Sequence, residues 1–458
     1  MNRISFTEYK AQAKALLLLS GPLIVNNLSI AGIGFADAVM AGSIGARELA
    51  AVAVGSSFWF VGFLFCLGML MALSPIIARH FGAGNYDLIG RYMRQGIYLG
   101  VILSIPILLL GQFATAPLLE RFGIDPEFRG MTVGYVNAVT FGAPAIFVFL
   151  ALRFTTEGIG YLRPIIFTSI FSLICNVFLN YVLMFGHFGA PALGAVGCGY
   201  ASAITMWITM FILIGFVVKS KHYRPFHLFS RAAPLRFDVF KEIIFLGVPI
   251  AITITAEAGL FSAITILMGT RGTDIAAAHQ IAINFASMSF MIPLSLSGAT
   301  TVLVGQLIGA GKLREAQFSG WLGVFFCAVF MTASAIFLLI FRESIVGLYT
   351  GDVAVMGIAI SLLLMAAIFQ IADGIQIGAA GALRGYKDTA VPMTINLFAF
   401  WVMGFPLAYL AAITYQTPPH YIWVALILAL SVAAILLTWR YRSLSIRSMS
   451  QTVLFQNS

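Results

Sequence analysis

Two stretches of this chain, Pro164–Val218 and Thr389–Trp439, contain no Asp, Glu, Lys or Arg. A helix crosses the hydrocarbon of a bilayer in about 20 residues, so each stretch reads as two membrane spans joined by a turn. The turns are visible in the residues. Gly186-His187-Phe188-Gly189-Ala190-Pro191 interrupts the first stretch and Gln416-Thr417-Pro418-Pro419 the second, both combining Gly or Pro with polar side chains. The rest of the chain obeys the same constraint. It is 60% hydrophobic, only 9% charged, and has a mean hydropathy of +0.97, whereas a soluble globular chain carries about 25% charged residues. The composition therefore points to an all-α membrane protein.

Reading apolar runs between charges predicts twelve transmembrane helices, at roughly 15–40, 49–78, 95–118, 130–152, 164–186, 194–218, 243–268, 275–305, 317–341, 353–382, 390–413 and 421–439. Loop charges check the count. Taken alternately, 21 of the 26 Lys and Arg fall on one side, and only Arg47, Arg121, Arg129, Arg271 and Arg342 on the other. That asymmetry places both termini on the cytoplasmic side of the membrane. It also accounts for the net charge of +9 without nucleic acid, because the basic residues are scattered over short loops. The polar, basic start has no cleavable signal pattern. Val453-Leu454-Phe455-Gln456 looks like a protease-site remnant of expression, so 449–458 is set aside as a tail.

The chain repeats itself at an offset of 227. Pro22 matches Pro249, Gly42 matches Gly269, Gly45 matches Gly272, Gly82-Ala83-Gly84 matches Gly309-Ala310-Gly311, and Asp125 matches Asp352. Each half holds six helices, so both enter the membrane with the same orientation. The expectation is two pseudo-symmetric six-helix bundles, 1–225 and 226–448, forming a parallel repeat with its axis along the membrane normal. The basic loop Lys219–Lys241 joins them.

Only three acids fall within the predicted spans: Asp37, Glu257 and Asp373. Glu257 lies about 24 Å along its helix from Lys241, at ~1.5 Å per residue. An ionisable group that deep costs roughly 2.5–3.5 kcal/mol or more on insertion, which makes a functional role the default reading. No Lys or Arg shares the three predicted spans. Burial disfavours the charged form of a carboxyl, so such a group is suited to exchange H⁺ near neutral pH or, when ionised, to hold Na⁺. Neutral oxygen ligands are available in Asn176 and Asn180, which are i, i+4 on one helix face, and in Asn284, four residues after Gln280. A driving force exists without ATP, since one charge crossing 100 mV is worth about 2.3 kcal/mol. Gly305–Lys312 departs from a P-loop in spacing and has Leu313 where Ser or Thr belongs, so it reads as a tight turn. Cys66, Cys175, Cys198 and Cys327 read as small buried hydrophobes, and His279 as a packed or hydrogen-bonded residue.

Together these features resemble the multidrug and toxic compound extrusion (MATE) family, NorM-type branch. The resemblance rests most on Gly34–Gly42, on Ala277-Ala278-His279-Gln280-Ile281-Ala282-Ile283-Asn284-Phe285, and on Gly381–Asp388. It implies efflux of organic cations in exchange for Na⁺ or H⁺. Asp37, Asn176 and Asn180 would form one ion or proton site, and Glu257, Asp373 and Asn284 the other. Phe369 stands where relatives often carry Tyr, which removes one possible oxygen ligand for Na⁺. Phe369, Gln280 and Phe285 are weaker candidates for the lining of a substrate cleft. Beyond the coupling Na⁺ or H⁺ no cofactor is expected. The expected partners are cationic, amphipathic drugs and the lipid bilayer, and a monomer suffices. The competing readings are a lipid-linked precursor flippase, which should offer basic side chains to a pyrophosphate, a channel, and an integral-membrane enzyme, for which no metal or nucleophile set emerges.

Overall fold

The computed structural model describes residues 6–227 and 234–456; Arg231 of the basic loop lies outside them. Among the described residues, eleven helices are long and apolar enough to cross a membrane, and a bent pair raises the number to twelve. In chain order they are α1 (Phe6–Ile44), α2 (Ala46–Gly82), α3 (Tyr86–Arg121) and α4, the pair Pro126–Thr140 and Ala143–Gly158 bent by 45°. Then follow α5 (Arg163–Phe185), α6 (Gly194–Lys219), α7 (Phe237–Gly269), α8 (Thr273–Gly309), α9 (Leu313–Tyr349), α10 (Val353–Gly385), α11 (Ala390–Thr414) and α12 (Pro419–Gln456). The all-α, twelve-span expectation is met. Both turns inside the uncharged stretches are present. Gly186 closes α5 in the left-handed conformation at φ 77°, and Gln416 adopts φ 47° before α12 begins at Pro419. The tail set aside as a remnant begins as helix, because α12 continues to Gln456.

The repeat is written into the hydrogen bonds. Gly84 and Gly311 take φ 71° and 75°, and each lets the chain reverse so that the next amide reaches back. Asn85 N donates to His80 O and Lys312 N to Leu307 O, both at 2.9 Å. A side chain would resist that left-handed backbone, so glycine is required at both turns. Asp125 and Asp352 each cap the following helix, accepting from the amides of Glu127 at 2.9 Å and Ala354 at 2.8 Å.

The chain forms two compact units, Val25–Ala251 and Met1–Ile24 with Ile252–Ser458. Their borders fall inside α1 and α7 rather than at the expected 225/226 division. The borders are themselves one repeat apart, each two residues beyond a proline, Pro22 or Pro249. Within the first unit, the loop after α6 docks through Tyr223 and Phe226, both buried. Tyr223 Oη lies 3.0 Å from Thr156 Oγ1, and burial pushes the phenol up to about 12, so it remains a neutral hydrogen-bonding group.

With no water to squeeze out between spans, helix contacts depend on close approach of small residues. On α10, Gly374 and Gly378 face α9 while Gly381 and Gly385 face α8. A Cβ at Gly381 would stand 2.5 Å from the Ser297 carbonyl oxygen. Gly381→Leu is therefore expected to destabilise the fold by about 1–3 kcal/mol or more through overpacking, read as a lower thermal transition in detergent and reduced recovery from membranes.

Candidate functional site

In the unit formed by Val25–Ala251, Asp37 on α1 points into a polar cluster sealed by apolar neighbours. Asn180 Nδ2 donates to Asp37 Oδ1 at 2.6 Å and to Asn176 Oδ1 at 3.2 Å, and Asn176 Nδ2 donates to Ser202 Oγ on α6 at 3.3 Å. The i, i+4 spacing on α5 therefore does place both amides on the face that meets α1. Asp37 is 8% exposed, and Asn176 and Asn180 are at most 1%. The Cys198 thiol also reaches the carboxylate, which sequence reading missed by treating Cys198 only as a hydrophobe. The signal was its i, i+4 relation to Ser202 on the same face of α6. Asn180 Oδ1 is buried with no hydrogen-bond partner among the described residues. One carboxylate, carboxamide oxygens and a hydroxyl make a donor set that suits either a proton or a small hard cation.

The second cluster lies within Ile252–Ser458. Glu257 on α7 is half-buried and Asp373 on α10 is 4% exposed. The two interact electrostatically, and Asp373 Oδ1 has no hydrogen-bond partner among the described residues. Asn284 is exposed on α8, as is Gln280, and among the described residues it makes no hydrogen bond to either carboxylate. Phe285 is half-buried against the core. Phe369, expected at a cleft, is 2% exposed and packs edge-on against Phe261 and Trp423, with ring centroids 5.9 and 5.6 Å away. It fills the core because α10 turns that face toward α7 and α12. His279 is packed as expected, with Nε2 3.1 Å from Thr265 Oγ1 and its ring edge-on to Trp423.

The expectation that the spans lack basic residues needs correction. α10 extends to Gly385, so Arg384 is not a loop charge but a helical residue 8% exposed. Arg153 and Glu157, also assigned to loops, lie buried on α4 as an i, i+4 ion pair with Nε–Oε1 2.7 Å. That spacing of opposite charges was legible as a helix-face pair. With its amide oxygen toward the guanidinium, Asn26 accepts from Arg153 Nη2 at 3.0 Å, and its nitrogen donates to Ser169 Oγ at 2.8 Å.

The sequence model of the MatE family matches twice, over residues 22–182 and 249–410. Those two starts are separated by the same 227 positions as the internal repeat. The chain belongs to the MATE family. It is 36% identical over 446 residues to a probable multidrug resistance protein NorM of Halalkalibacterium halodurans, covering 97% of each chain. It is 38% identical to the multidrug resistance protein PmpM of Pseudomonas aeruginosa, over 94% of this chain and 91% of the relative. Among solved structures it shares the fold of the eukaryotic MATE transporter AtDTX14, with a TM-score of 0.86 at 20% identity, covering 97% of this chain and 99% of that one. By family, this MATE chain is a multi-span membrane transporter rather than an enzyme.

The Arg153–Glu157 pair makes a stability prediction for this MATE chain. Arg153→Met leaves Glu157 buried without its cation and is expected to cost about 3–5 kcal/mol. The double variant Arg153→Met, Glu157→Leu should recover most of that loss, measured by denaturant or thermal unfolding of the purified protein.

Proposed function

We propose that the chain is a multidrug antiporter, exporting cationic, amphipathic small molecules across a bacterial inner membrane in exchange for Na⁺ or H⁺. The observation that carries this reading is the state of the three carboxylates within its apolar spans. Asp37 is held by amides and a thiol rather than by a basic residue. Glu257 and Asp373 share one region, and Asp373 keeps an oxygen without a hydrogen-bond partner among the described residues. Such groups are left to be neutralised by something that arrives and leaves. The relatives' names as multidrug resistance proteins supply the cargo class.

In this reading substrate and coupling ion compete. A cationic drug taken from the cytoplasmic side is stabilised while the carboxylates are ionised. Arrival of H⁺ or Na⁺ from outside discharges them, drug affinity falls, and the drug leaves outward. Alternating access of the two repeat halves then returns the ion to the cytoplasm, where both termini would lie. No cofactor takes part, and a monomer contains every group required. The flippase alternative calls for basic side chains offered to a pyrophosphate. Arg153 and Arg384 are instead buried and occupied, the first by Glu157 and the second by Ser297 Oγ.

Asp37→Asn, Glu257→Gln and Asp373→Asn are each expected to lower ethidium efflux at least about tenfold, the loss of one essential interaction of ~1.4 kcal/mol or more. The assay is everted vesicles or proteoliposomes with Na⁺ and pH gradients imposed separately, which also identifies the coupling ion. Wild-type efflux in all three variants under an imposed gradient would overturn the reading.

A further inference from the structure

The two faces of α5 differ sharply. Asn176 and Asn180 are buried toward Asp37, while on the opposite face Phe167, Ile170 and Ile174 are 51%, 44% and 64% exposed. With Ile166 and Phe171 these three line a groove of about 350 Å³ along the helix, and Arg163 closes one end of it. Phe167 and Phe171 stack, with ring centroids 6.2 Å apart and 17° between their planes, so the wall is flat as well as apolar. Arg163 and Ile174 are eleven residues apart, about 16 Å along the helix at ~1.5 Å per residue. That is roughly half of the ~30 Å hydrocarbon thickness, the depth of one leaflet.

Local contacts gather further positive charge at the Arg163 end. α5 and α6 run antiparallel, Gly197 at the start of α6 packing on Leu183 near the end of α5. At the other end of the pair Phe167 meets Phe216 edge-on, with ring centroids 5.4 Å apart. Arg163 lies one turn from Phe167, and Lys219 one turn from Phe216, so both cations stand just beyond that contact at the same end. The loop after α6 then folds back over the start of α5. His222 stacks on Tyr161 at 4.1 Å, with the rings 9° from parallel, which keeps Lys221 at the same corner. Arg163, Lys219 and Lys221 are exposed, and none of them has an ion pair among the described residues. The chain offers them no acid of its own, since it has no Asp or Glu from Gly158 to Phe237. The acids on either side are taken, Glu157 by Arg153 and Asp238 by Arg236.

We propose that this corner and groove form a binding site for one anionic phospholipid. Its phosphate lies on Arg163 and Lys219, with Lys221 beside them, and one acyl chain runs along Ile166, Ile170 and Ile174. Unpaired cations alone would attract any anion, and an apolar face alone would take any lipid. Charge followed by a leaflet's depth of apolar wall fits the headgroup and chain of an anionic lipid. The site lies on the helix whose buried face supplies Asn176 and Asn180 to Asp37, so the lipid braces that helix from outside.

The test titrates the full-length protein, stripped of lipid in detergent, with dioleoyl phosphatidylglycerol and reads the bound fraction by native mass spectrometry. Arg163→Gln combined with Lys219→Gln is expected to weaken binding roughly 25-fold, about fivefold for each cation, down to the level of zwitterionic dioleoyl phosphatidylethanolamine. Ile170→Trp, which fills the groove and keeps every cation, should weaken it as well. Arg442→Gln combined with Arg447→Gln removes the same charge at the end of α12 and should leave binding unchanged. All five positions are exposed, so these variants probe the surface and not the core. The proposal is overturned if wild type does not prefer the anionic lipid, if the α12 control loses as much as the Arg163–Lys219 variant, or if filling the groove has no effect. Excess inorganic phosphate should not displace the lipid. Displacement would make this a site for free anions, and a dimer that excludes lipid would make the face a self-contact. Either result also overturns it.

Discussion

A carboxylate enclosed by helices must be matched by a cation, a proton or a set of hydrogen-bond donors, and the buried acids of this chain meet that demand in different ways. Glu157 has a covalently supplied answer, since Arg153 is one turn away on its own helix and 2.7 Å distant. A charge matched so closely and permanently has no reason to exchange anything. Asp37 is matched by donors only, the Asn180 amide and the Cys198 thiol, which stabilise the anion without cancelling its charge. Glu257 and Asp373 act on one another, and Asp373 Oδ1 has no hydrogen-bond partner among the described residues. The antiport proposed above draws on incomplete matching, and matching is incomplete at the acids that sit within the apolar spans.

The helices exist to hold those mismatches in place. Two units with separate polar clusters are each closed by tight helix contacts through glycine, as at Gly378, where a Cβ would come within 2.9 Å of the Val324 Cα. Where the α-helical ladder is interrupted, a proline is near. α3 widens to π-helix at Leu110–Ala114 after Pro106, and α11 does so at Phe398–Gly404 and Leu410–Thr414 on either side of Pro406. A proline removes an amide donor from the ladder and weakens the helix around it.

Much of this was readable before any coordinates. The uncharged stretches, their Gly and Pro breaks, and the 227 offset together specify twelve spans and a repeat, because hydrocarbon tolerates so few alternatives. The contact between α1 and α5 came from the family resemblance, which grouped Asp37 with Asn176 and Asn180, while spacing alone put only the two amides on one face. Charges near helix ends were lost to the rule that set the spans. Span prediction counts apolar residues and stops at the first charge, so it ended α10 at 382 and cast Arg384 as a loop residue. The helix continues to Gly385, and the interior supplies Ser297 as a partner. The same rule expelled Arg153 and Glu157, whose mutual neutralisation lets both remain inside. Phe369 was a different miss, since it was offered for a cleft and is buried in the core against Phe261 and Trp423.

The repeat conserves architecture and not chemistry. Turns, caps and close-packed glycines recur at the 227 offset, and even the borders of the two compact units obey it. The acids within the apolar spans do not. The same shift carries Asp37 onto Ile264, Glu257 onto Ile30 and Asp373 onto Ile146. Turns and packing must be kept in both halves because each half faces the same lipid. A coupling site is under no such constraint, and two identical sites would bind the same ion with the same affinity. In the antiport proposed above, a donor-only acid in one half and an acid pair in the other would make two sites of different charge and different ligands. Unequal halves of that kind would load and release at different points of one cycle, which two identical sites could not arrange.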